Sequence, residues 1–440
     1  MRQVWSALLR PILLAVALFG PMIVGIPLDT GGRIPTLAWG VALGSLLGAL
    51  WVLGGYSSEW ARKVTYVVVS CFLALTLVNV LARPPLLPLV SPGFSPKWPP
   101  MPLVRRHIPN VRWRGTIYGE SADAWSMAKY REHRVMRYAA DRFGFRNDRT
   151  PDGPLDIIVI GDSFAAGVDT TQDQTWSVIL AKRQGLHVYN MAIGGDGPWA
   201  EWANLTLEID RLPRRPQGTV VLWMLFTGND LVDPCYPIFS KEQLPWRHGL
   251  ARLMSSFSSF RSQSPLGMIL ARFAEQSAPA DNERAKKFLD GSYILFSPDY
   301  AQQAALNLDA VRSFPNYACL RQTVSAMRRL AESKGLTVAV IVAPPKDEVY
   351  SWVRLGLRPW STPPNPSGFA LAMRELAQEN HMPFLDLKPL LIEVSKRVYQ
   401  ESGRLIWWRD DTHWNEEGNR EVAKIVAQFY TSVTGPAPLP

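Results

Sequence analysis

Two short segments of this 440-residue chain supply the side chains of an activated nucleophile. A Gly-Asp-Ser sequence at 161–163 directly follows the apolar run 155–160, and an Asp-Asp-Thr-His sequence lies at 410–413. A serine hydroxyl becomes a good nucleophile when an imidazole removes its proton, and a carboxylate fixes the tautomer of that imidazole. If the apolar run is a strand, Ser163 lies at its carboxyl end, where open α/β sheets bind ligands. The sequence therefore predicts Ser163 as a nucleophile and His413 as its base.

The elements that must position these side chains alternate between strand and helix patterns after residue 150. Strand patterns occur at 155–160, 186–190, 219–226, 336–343 and 383–387. The runs 219–226 and 336–343 are continuously apolar, as buried parallel strands are. Helical patterns occur at 176–183, 199–209, 369–379 and 416–429. Repeated strand–helix units predict an α/β fold in which a parallel sheet is sandwiched between helices.

Two further blocks follow predicted strands: Asn-Met-Ala-Ile-Gly-Gly-Asp-Gly at 190–197 and Thr-Gly-Asn-Asp at 227–230. Together with the serine and histidine blocks, they resemble the SGNH/GDSL hydrolase family from about residue 143 to the C-terminus. The serine block is not the G-x-S-x-G elbow of other hydrolases, because Ala165 stands where the second glycine belongs. The resemblance implies a flavodoxin-like, three-layer α/β/α sandwich and a serine esterase that needs no metal or organic cofactor.

The resemblance also implies a role for each block. Ser163 would be the nucleophile, His413 the base, and Asp410, the aspartate of the family's D-x-x-H motif, would orient His413. The backbone N–H groups of Ser163 and Gly195 and the side-chain amide of Asn229 would form the oxyanion hole. A single donor of this kind is worth about 2.7–4 kcal/mol to the transition state.

Asp411 is the alternative to Asp410 as the carboxylate that orients His413. Related O-acetyltransferases of the alginate type pair the histidine with an aspartate two residues before it, and Asp411 has that spacing. Those enzymes carry the Asp-x-His motif ahead of the serine, whereas here it follows Ser163. Chain order therefore favours Asp410.

The first 83 residues are predicted to be a membrane anchor. The segments 11–28, 35–58 and 64–82 carry no charge, and each is about as long as a helix that crosses a bilayer core. A cleaved signal peptide would account for the first segment but not for the other two. The basic residues in the flanking loops place the N-terminus in the cytoplasm and everything after residue 83 outside it.

The rest of the chain is predicted to divide into three parts. Residues 84–104 are rich in proline and indicate a semi-rigid linker. Residues 105–150 are polar and aromatic and are interpreted as a lead-in segment that packs on the main domain. Residues 151–435 form the hydrolase domain, in which the strand and helix pattern breaks down at about 231–314. This insertion could be a lid over the site or a solvated surface excursion.

The net charge bears on the binding partners of the protein, and the cysteines bear on disulfide formation and metal binding. The net charge of +9 could indicate nucleic acid, but no basic and aromatic array points at bases, so an anionic lipid or polymer is the preferred partner. Cys235 and Cys319 would both lie outside the cytoplasm, where they either form a disulfide or remain as two thiols. No Cys or His cluster has metal-ligand spacing.

These observations predict a membrane-anchored serine esterase on the periplasmic side of the cytoplasmic membrane, acting on an envelope glycan or lipid ester. One alternative is an O-acetyltransferase that modifies an envelope polysaccharide. It would need a polytopic acyltransferase as partner, because three spans are too few for an acyl channel. A second alternative is a non-catalytic polysaccharide-binding or assembly protein.

Overall fold

The computed structural model describes residues 98–101, 104–107, 109–119, 121–122, 127–215, 218–233, 235 and 284–435. The predicted membrane spans at 1–83 lie outside the described residues, as does much of the predicted insertion. Among the helices that are described, none combines the length and the apolar character needed to cross a bilayer.

The described strands fall into one large sheet and three hairpins. In chain order they are β1 (Trp98–Met101), β2 (Val104–Arg106), β3 (Arg112–Ile117), β4 (Arg134–Ala139), β5 (Ile157–Gly161), β6 (Val188–Asn190), β7 (Thr219–Phe226), β8 (Ala285–Lys287), β9 (Tyr293–Leu295), β10 (Leu336–Ala343) and β11 (Phe384–Asp386). The pairs β1–β2, β3–β4 and β8–β9 are antiparallel.

The described helices range from one turn to five turns. In chain order they are α1 (Ser163–Ala166), α2 (Trp176–Gln184), α3 (Pro198–Glu208), α4 (Pro298–Ala304), α5 (Leu308–Arg312), α6 (Tyr317–Lys334), α7 (Lys346–Val349), α8 (Ser351–Arg354), α9 (Gly368–Glu379), α10 (Lys388–Ser402) and α11 (Glu416–Thr434).

The central sheet has five parallel strands in the order β11-β10-β7-β5-β6. The chain starts this sheet at β5, adds β6 on one side, and then crosses back to add β7, β10 and β11 on the other. The direction of winding therefore reverses between β5 and β7. Ligands of doubly wound sheets bind at such a switch point, in the crevice beyond the carboxyl ends of the strands. Ser163 follows β5 and Asn229 follows β7, so both flank this crevice.

Each face of the sheet carries its own hydrophobic core. Side chains of β7 alternate between the two: Val221, Trp223 and Leu225 pack with α3, α6 and α9, whereas Leu222 and Met224 pack with α2, α10 and α11. All eight residues of β7 are buried, which explains why its sequence is apolar without interruption. The predicted α/β fold with a parallel sheet between flanking helices is confirmed.

The hairpin β3–β4 belongs to the predicted lead-in segment and lies against the sheet domain. Arg146, which follows it, is buried and donates to the backbone carbonyls of Ala166 and Gly167, at the end of α1. Arg106 forms an ion pair with Glu208 at the end of α3. These contacts attach the segment to the end of α1, which begins at Ser163, and to the end of α3. The predicted domain boundaries stay predictions.

Cys235 and Cys319 form a disulfide, which decides between the two states that the sequence left open. The bond connects the chain just beyond β7 to the first turn of α6 and closes a loop with a sequence separation of 84. In the chain-entropy account, a crosslink over a loop of this length restricts the unfolded chain by roughly 4–5 kcal/mol. The crosslink therefore anchors the segment that follows the Asn229 turn.

Candidate active site

The turn between β5 and α1 presents Ser163. Gly161 ends the strand with φ +148°, and a Cβ on it would lie 2.4 Å from the carbonyl oxygen of Met224 on β7, so a side chain cannot be placed there. The next residue, Asp162, caps α1 by accepting a hydrogen bond from the backbone N–H of Phe164 at 2.8 Å. Ser163 is thus the first residue of a helix, half-buried, with its Oγ 3.4 Å from Asp162 Oδ2.

The second and third sequence blocks adjoin this turn. A Cβ on Gly194 would lie 3.5 Å from Ser163 Cβ, so the segment after β6 packs directly on the nucleophile. Gly195, the next residue, has φ +73°, a conformation that favours glycine. Asn229 lies in the turn after β7, which Asp230 holds by accepting from the N–H of Phe226 at 2.7 Å. The Oδ1 atom of Asn229 is buried and has no hydrogen-bond partner among the described residues.

His413 reaches the same place from the loop before α11. The ring of Phe164, the neighbour of Ser163, lies 5.2 Å from the His413 ring. His413 Nδ1 is 2.5 Å from Asp411 Oδ1, and the His413 backbone N–H donates to that same oxygen at 2.9 Å. A carboxylate on Nδ1 fixes the tautomer that leaves Nε2 free to accept a proton. The structure therefore brings together Ser163, His413 and Asp411.

Asp410, the aspartate predicted to orient His413, has other partners in this geometry. Asp410 is fully buried and accepts from the backbone N–H groups of Gly119 at 2.6 Å and Glu132 at 2.8 Å. Its other oxygen pairs with Arg134 at 2.9 Å. Asp410 is thus engaged by the lead-in segment, whereas Asp411, one residue later, carries the oxygen that binds His413.

A second carboxyl group, that of Asp169, lies beside this pair. Asp169 Oδ2 is 3.8 Å from His413 Nδ1 and 3.5 Å from Nη2 of Arg134. Burial and the neighbouring Asp411 carboxylate raise the pKa of Asp169 well above its usual range. Burial alone would also raise the pKa of Asp411, but His413, which is bonded to it, and Arg134 together hold that pKa far below its usual range. Asp411 is therefore the ionised member of the two.

Asp169, Asp411 and His413 are also the described residues whose ligand atoms are close enough for a cation, all within 4.8 Å of one another. Arg134 already places a positive charge on Asp169 Oδ2. A metal bound to His413 Nδ1 would displace the proton that bonds to Asp411. The donor set therefore suits a proton relay better than a metal centre.

Two tryptophans of the His413 loop belong to the core, and a third lies at its edge. Trp407 and Trp414 are 1% and 2% exposed, and their rings lie 6.2 Å apart. Trp408 is half-buried and packs under the Arg134 guanidinium, 4.1 Å from its ring centroid. A cleft of about 480 Å³ borders the outer side of this loop, but neither Ser163 nor His413 lines it. The cleft is therefore not the site at which an acyl group would react.

Lys346 is hydrogen-bonded to the loop that carries His413. It follows β10, is fully buried, and its Nζ donates to the backbone carbonyls of Trp408, Arg409 and Asp411. Burial lowers the pKa of Lys346 from its usual 10.5 to about 8, although nearby carboxylates oppose that shift. A single ammonium group thus satisfies three carbonyls of the segment that ends in His413.

Lys346→Met should destabilise the protein, and the difference from wild type should grow as the pH rises from about 8 to about 10.5. Between these values the unfolded chain binds more protons at Lys346 than the folded chain, so the contribution of this group to the free energy of unfolding increases with pH. Chemical denaturation of both proteins at pH 7 and at pH 9.5 measures the two differences. A constant difference would show that folding leaves the pKa of Lys346 unchanged, and a smaller difference at pH 9.5 would show that folding raises it.

Residues 159–421, more than half of the chain, match the family model described as GDSL-like lipase/acylhydrolase. The chain belongs to the GDSL-like lipase/acylhydrolase family. It is accordingly a serine hydrolase that acts on ester bonds, and the non-enzymatic alternative loses its support. The four blocks that carried the resemblance all lie within the matched range.

Solved structures add only weak similarities to this membership. The chain is similar to TesA (14% identity, TM-score 0.33, 63% of this chain and 98% of that chain). It is also similar to the psychrotrophic esterase EstA from Pseudoalteromonas sp. (10% identity, TM-score 0.30, 63% of this chain and 94% of that chain). A third similar structure is an acetyl xylan esterase from Butyrivibrio proteoclasticus (9% identity, TM-score 0.30, 69% of this chain and 75% of that chain). No curated protein matches the sequence. The family membership rests on the match to the family model alone.

Three residues of this acylhydrolase site were not found from the sequence. Lys346 follows a predicted strand after two prolines, so its place near the carboxyl end of the sheet was a usable signal. Asp169 lies six residues after Ser163, but nothing in its local pattern distinguishes it from a turn residue. Arg134 is far from the other blocks in sequence, and only the tertiary structure brings it to Asp410.

Proposed function

We propose that this GDSL-family protein is a membrane-anchored esterase that removes acyl groups from a cell-envelope glycan or lipid through an acyl-Ser163 intermediate. The observation that carries the proposal is the contact of His413 with Asp411 beside Ser163, at the switch point of the sheet. A buried carboxylate on Nδ1 fixes the tautomer in which Nε2 can accept a proton, as a general base for serine requires.

The geometry supports the following sequence of steps. Ser163 Oγ attacks the ester carbonyl carbon while its proton passes to His413 Nε2. The tetrahedral oxyanion accepts hydrogen bonds from the N–H groups of Ser163 and Gly195 and from the Asn229 amide. Collapse of this intermediate breaks the bond to the alcohol, which leaves with the proton from His413. Water then attacks the acyl-serine in the same way, and the carboxylic acid is released.

The place of action rests on two observations. The apolar segments at 11–28, 35–58 and 64–82 support anchoring in the cytoplasmic membrane by several spans. The Cys235–Cys319 disulfide supports an oxidising compartment for the catalytic domain, since stable disulfides are rare in the cytosol. We therefore place the site on the periplasmic side, where envelope esters are within reach.

The full-length chain in detergent micelles can test this proposal. We expect a fluorophosphonate probe to form an adduct on the peptide that contains Ser163. We also expect release of acetate from p-nitrophenyl acetate and from an O-acetylated polysaccharide, with slower turnover of the octanoyl ester if the substrate is an acetylated glycan. A folded protein that neither labels nor hydrolyses any of these esters would overturn the proposal.

A second candidate, acyl transfer to a sugar hydroxyl, is favoured by one observation. His413 is oriented by the aspartate two residues before it, the spacing found in alginate-type O-acetyltransferases. The acyl-serine chemistry is the same, and only the acceptor differs. Adding an oligosaccharide acceptor to the acetate assay separates the two. Acetylated sugar at the expense of free acetate would favour transfer, and free acetate alone would favour hydrolysis.

A further inference from the structure

Asp169 occupies a backbone position that costs an ordinary residue energy. It lies in the loop after α1 with φ +61°, in the left-handed region that glycine adopts freely. Aspartate tolerates this region better than most residues but gains nothing from it. Its side chain is mostly buried, 14% exposed, and points at His413 and Arg134. The side chain therefore has a use that glycine could not serve.

The charged groups around Asp169 indicate what its side chain does. Three carboxyl groups, those of Asp169, Asp410 and Asp411, surround one arginine, Arg134. Asp410 is bonded to Arg134 and to two backbone N–H groups, which stabilise it as an anion. Carboxyl oxygens of Asp169 and Asp411 lie within 4.8 Å of each other in this buried cluster, and two carboxyl groups so close together favour a state in which one of them is protonated. Asp411 Oδ1 already lies 2.5 Å from His413 Nδ1, and as a carboxylate it would accept the proton of that nitrogen, which leaves Asp169 as the group to be protonated.

We propose that Asp169 is a positioning residue, which acts as a neutral carboxylic acid and donates a hydrogen bond to the Asp411 carboxylate beneath His413. This bond would hold Asp411 in the orientation that directs Oδ1 to His413 Nδ1. Arg134 on the far side of Asp169 stabilises the arrangement by contacting Oδ2. The inference rests on the proposed function, because it gives Asp169 a part in orienting the base of that reaction.

Asp169→Asn and Asp169→Gly separate positioning from a structural role. Asparagine keeps an N–H donor toward Asp411 and tolerates the left-handed backbone, so kcat should stay within about threefold of wild type. Glycine relaxes the backbone but removes the donor. We expect kcat to fall about 10- to 100-fold, the loss that accompanies removal of a hydrogen bond to a charged group, with KM within about twofold and an unchanged or higher melting temperature. A merely structural role would leave Asp169→Gly as active as wild type.

The outcomes that overturn the inference are equally specific. If Asp169→Asn is as slow as Asp169→Gly, the position needs a carboxylate and the proton is not on Asp169. If both variants match wild type, the side chain does not position Asp411.

A second measurement does not depend on turnover. The infrared difference spectrum of wild type minus Asp169→Asn at pH 7 should contain the C=O stretch of a neutral carboxylic acid. A carboxylate band in its place would sink the inference even if the wild-type protein proved inactive. Failure of the proposed function would instead appear as absent labelling and turnover in the wild type.

Discussion

Ser163→Ala should lower kcat for p-nitrophenyl acetate by about 10⁶-fold, the order of loss known for removal of the serine from such a triad. No other described residue offers a hydroxyl in the turn after β5, so the acyl-enzyme cannot form. The fold should be unaffected, because the Ser163 hydroxyl contributes only a 3.4 Å contact with Asp162. Steady-state kinetics of the full-length protein, with thermal denaturation alongside, measures both effects.

Ser333→Ala is the matched control for this substitution. Ser333 is exposed near the end of α6 and donates only to the carbonyl of Leu330, so its loss should leave kcat unchanged. Adding His413→Ala to Ser163→Ala should cost little more than either change alone, since the two residues act as one unit. Residual activity of a few per cent in Ser163→Ala would assign the reaction to another nucleophile.

Much of the sheet domain follows from the local sequence. The predicted strands 219–226 and 336–343 coincide with β7 and β10, and the helices predicted at 176–183 and 369–379 lie within one residue of α2 and α9. The two strands are buried along almost their whole length and α9 is amphipathic, so the patterns of these three elements are clear. The short hairpins β3–β4 and β8–β9 were not predicted, because a two-stranded ribbon is stabilised by the surface it packs on rather than by its own pattern.

The sequence blocks also predicted which segments lie together in the site, but they did not predict which side-chain atoms contact each other there. Ser163 and His413 do lie together at the carboxyl edge of the sheet, because each block follows or closes a strand–helix unit. The choice between Asp410 and Asp411 depends on donors from elsewhere in the chain. Arg134 and the Gly119 amide engage Asp410 across 276 and 291 residues, and no local spacing rule can reveal that. The order of the motifs along the chain favoured Asp410, but that order carries no information about the hydrogen bonds and the ion pair that hold the loop.

Asp411→Asn and Asp410→Asn should therefore fail in different ways. Asparagine at 411 keeps the shape of the loop but presents an N–H₂ or a neutral oxygen to His413 Nδ1. The imidazole loses its fixed tautomer and the anion that stabilises its protonated form. We expect kcat to fall about 10⁴-fold, as in other triads that lose this carboxylate, with KM close to wild type, when kcat is measured well below the melting temperature, which the loss of this buried anion also lowers.

At Asp410 the same substitution removes an anion that three donors surround. The new amide N–H₂ must face N–H groups of Gly119, Glu132 or Arg134, which leaves a buried donor unpaired. Breaking a buried ion pair in this way costs about 3–5 kcal/mol, so the melting temperature should fall by several degrees. The loss in kcat should be much smaller than for Asp411→Asn once the measurement is made well below that temperature.

The ratio of the two kcat values, measured where both variants are folded, decides between the assignments. If Asp410→Asn were the slower enzyme and kept its stability, His413 would be oriented by Asp410 during turnover, and the loop would have to rearrange when substrate binds. If Asp411→Asn is slower, the D-x-x-H spacing of the family is present in the sequence, but its aspartate attaches the lead-in segment to the catalytic loop. The residue that family alignment selects would then stabilise the site, while its neighbour takes part in the chemistry.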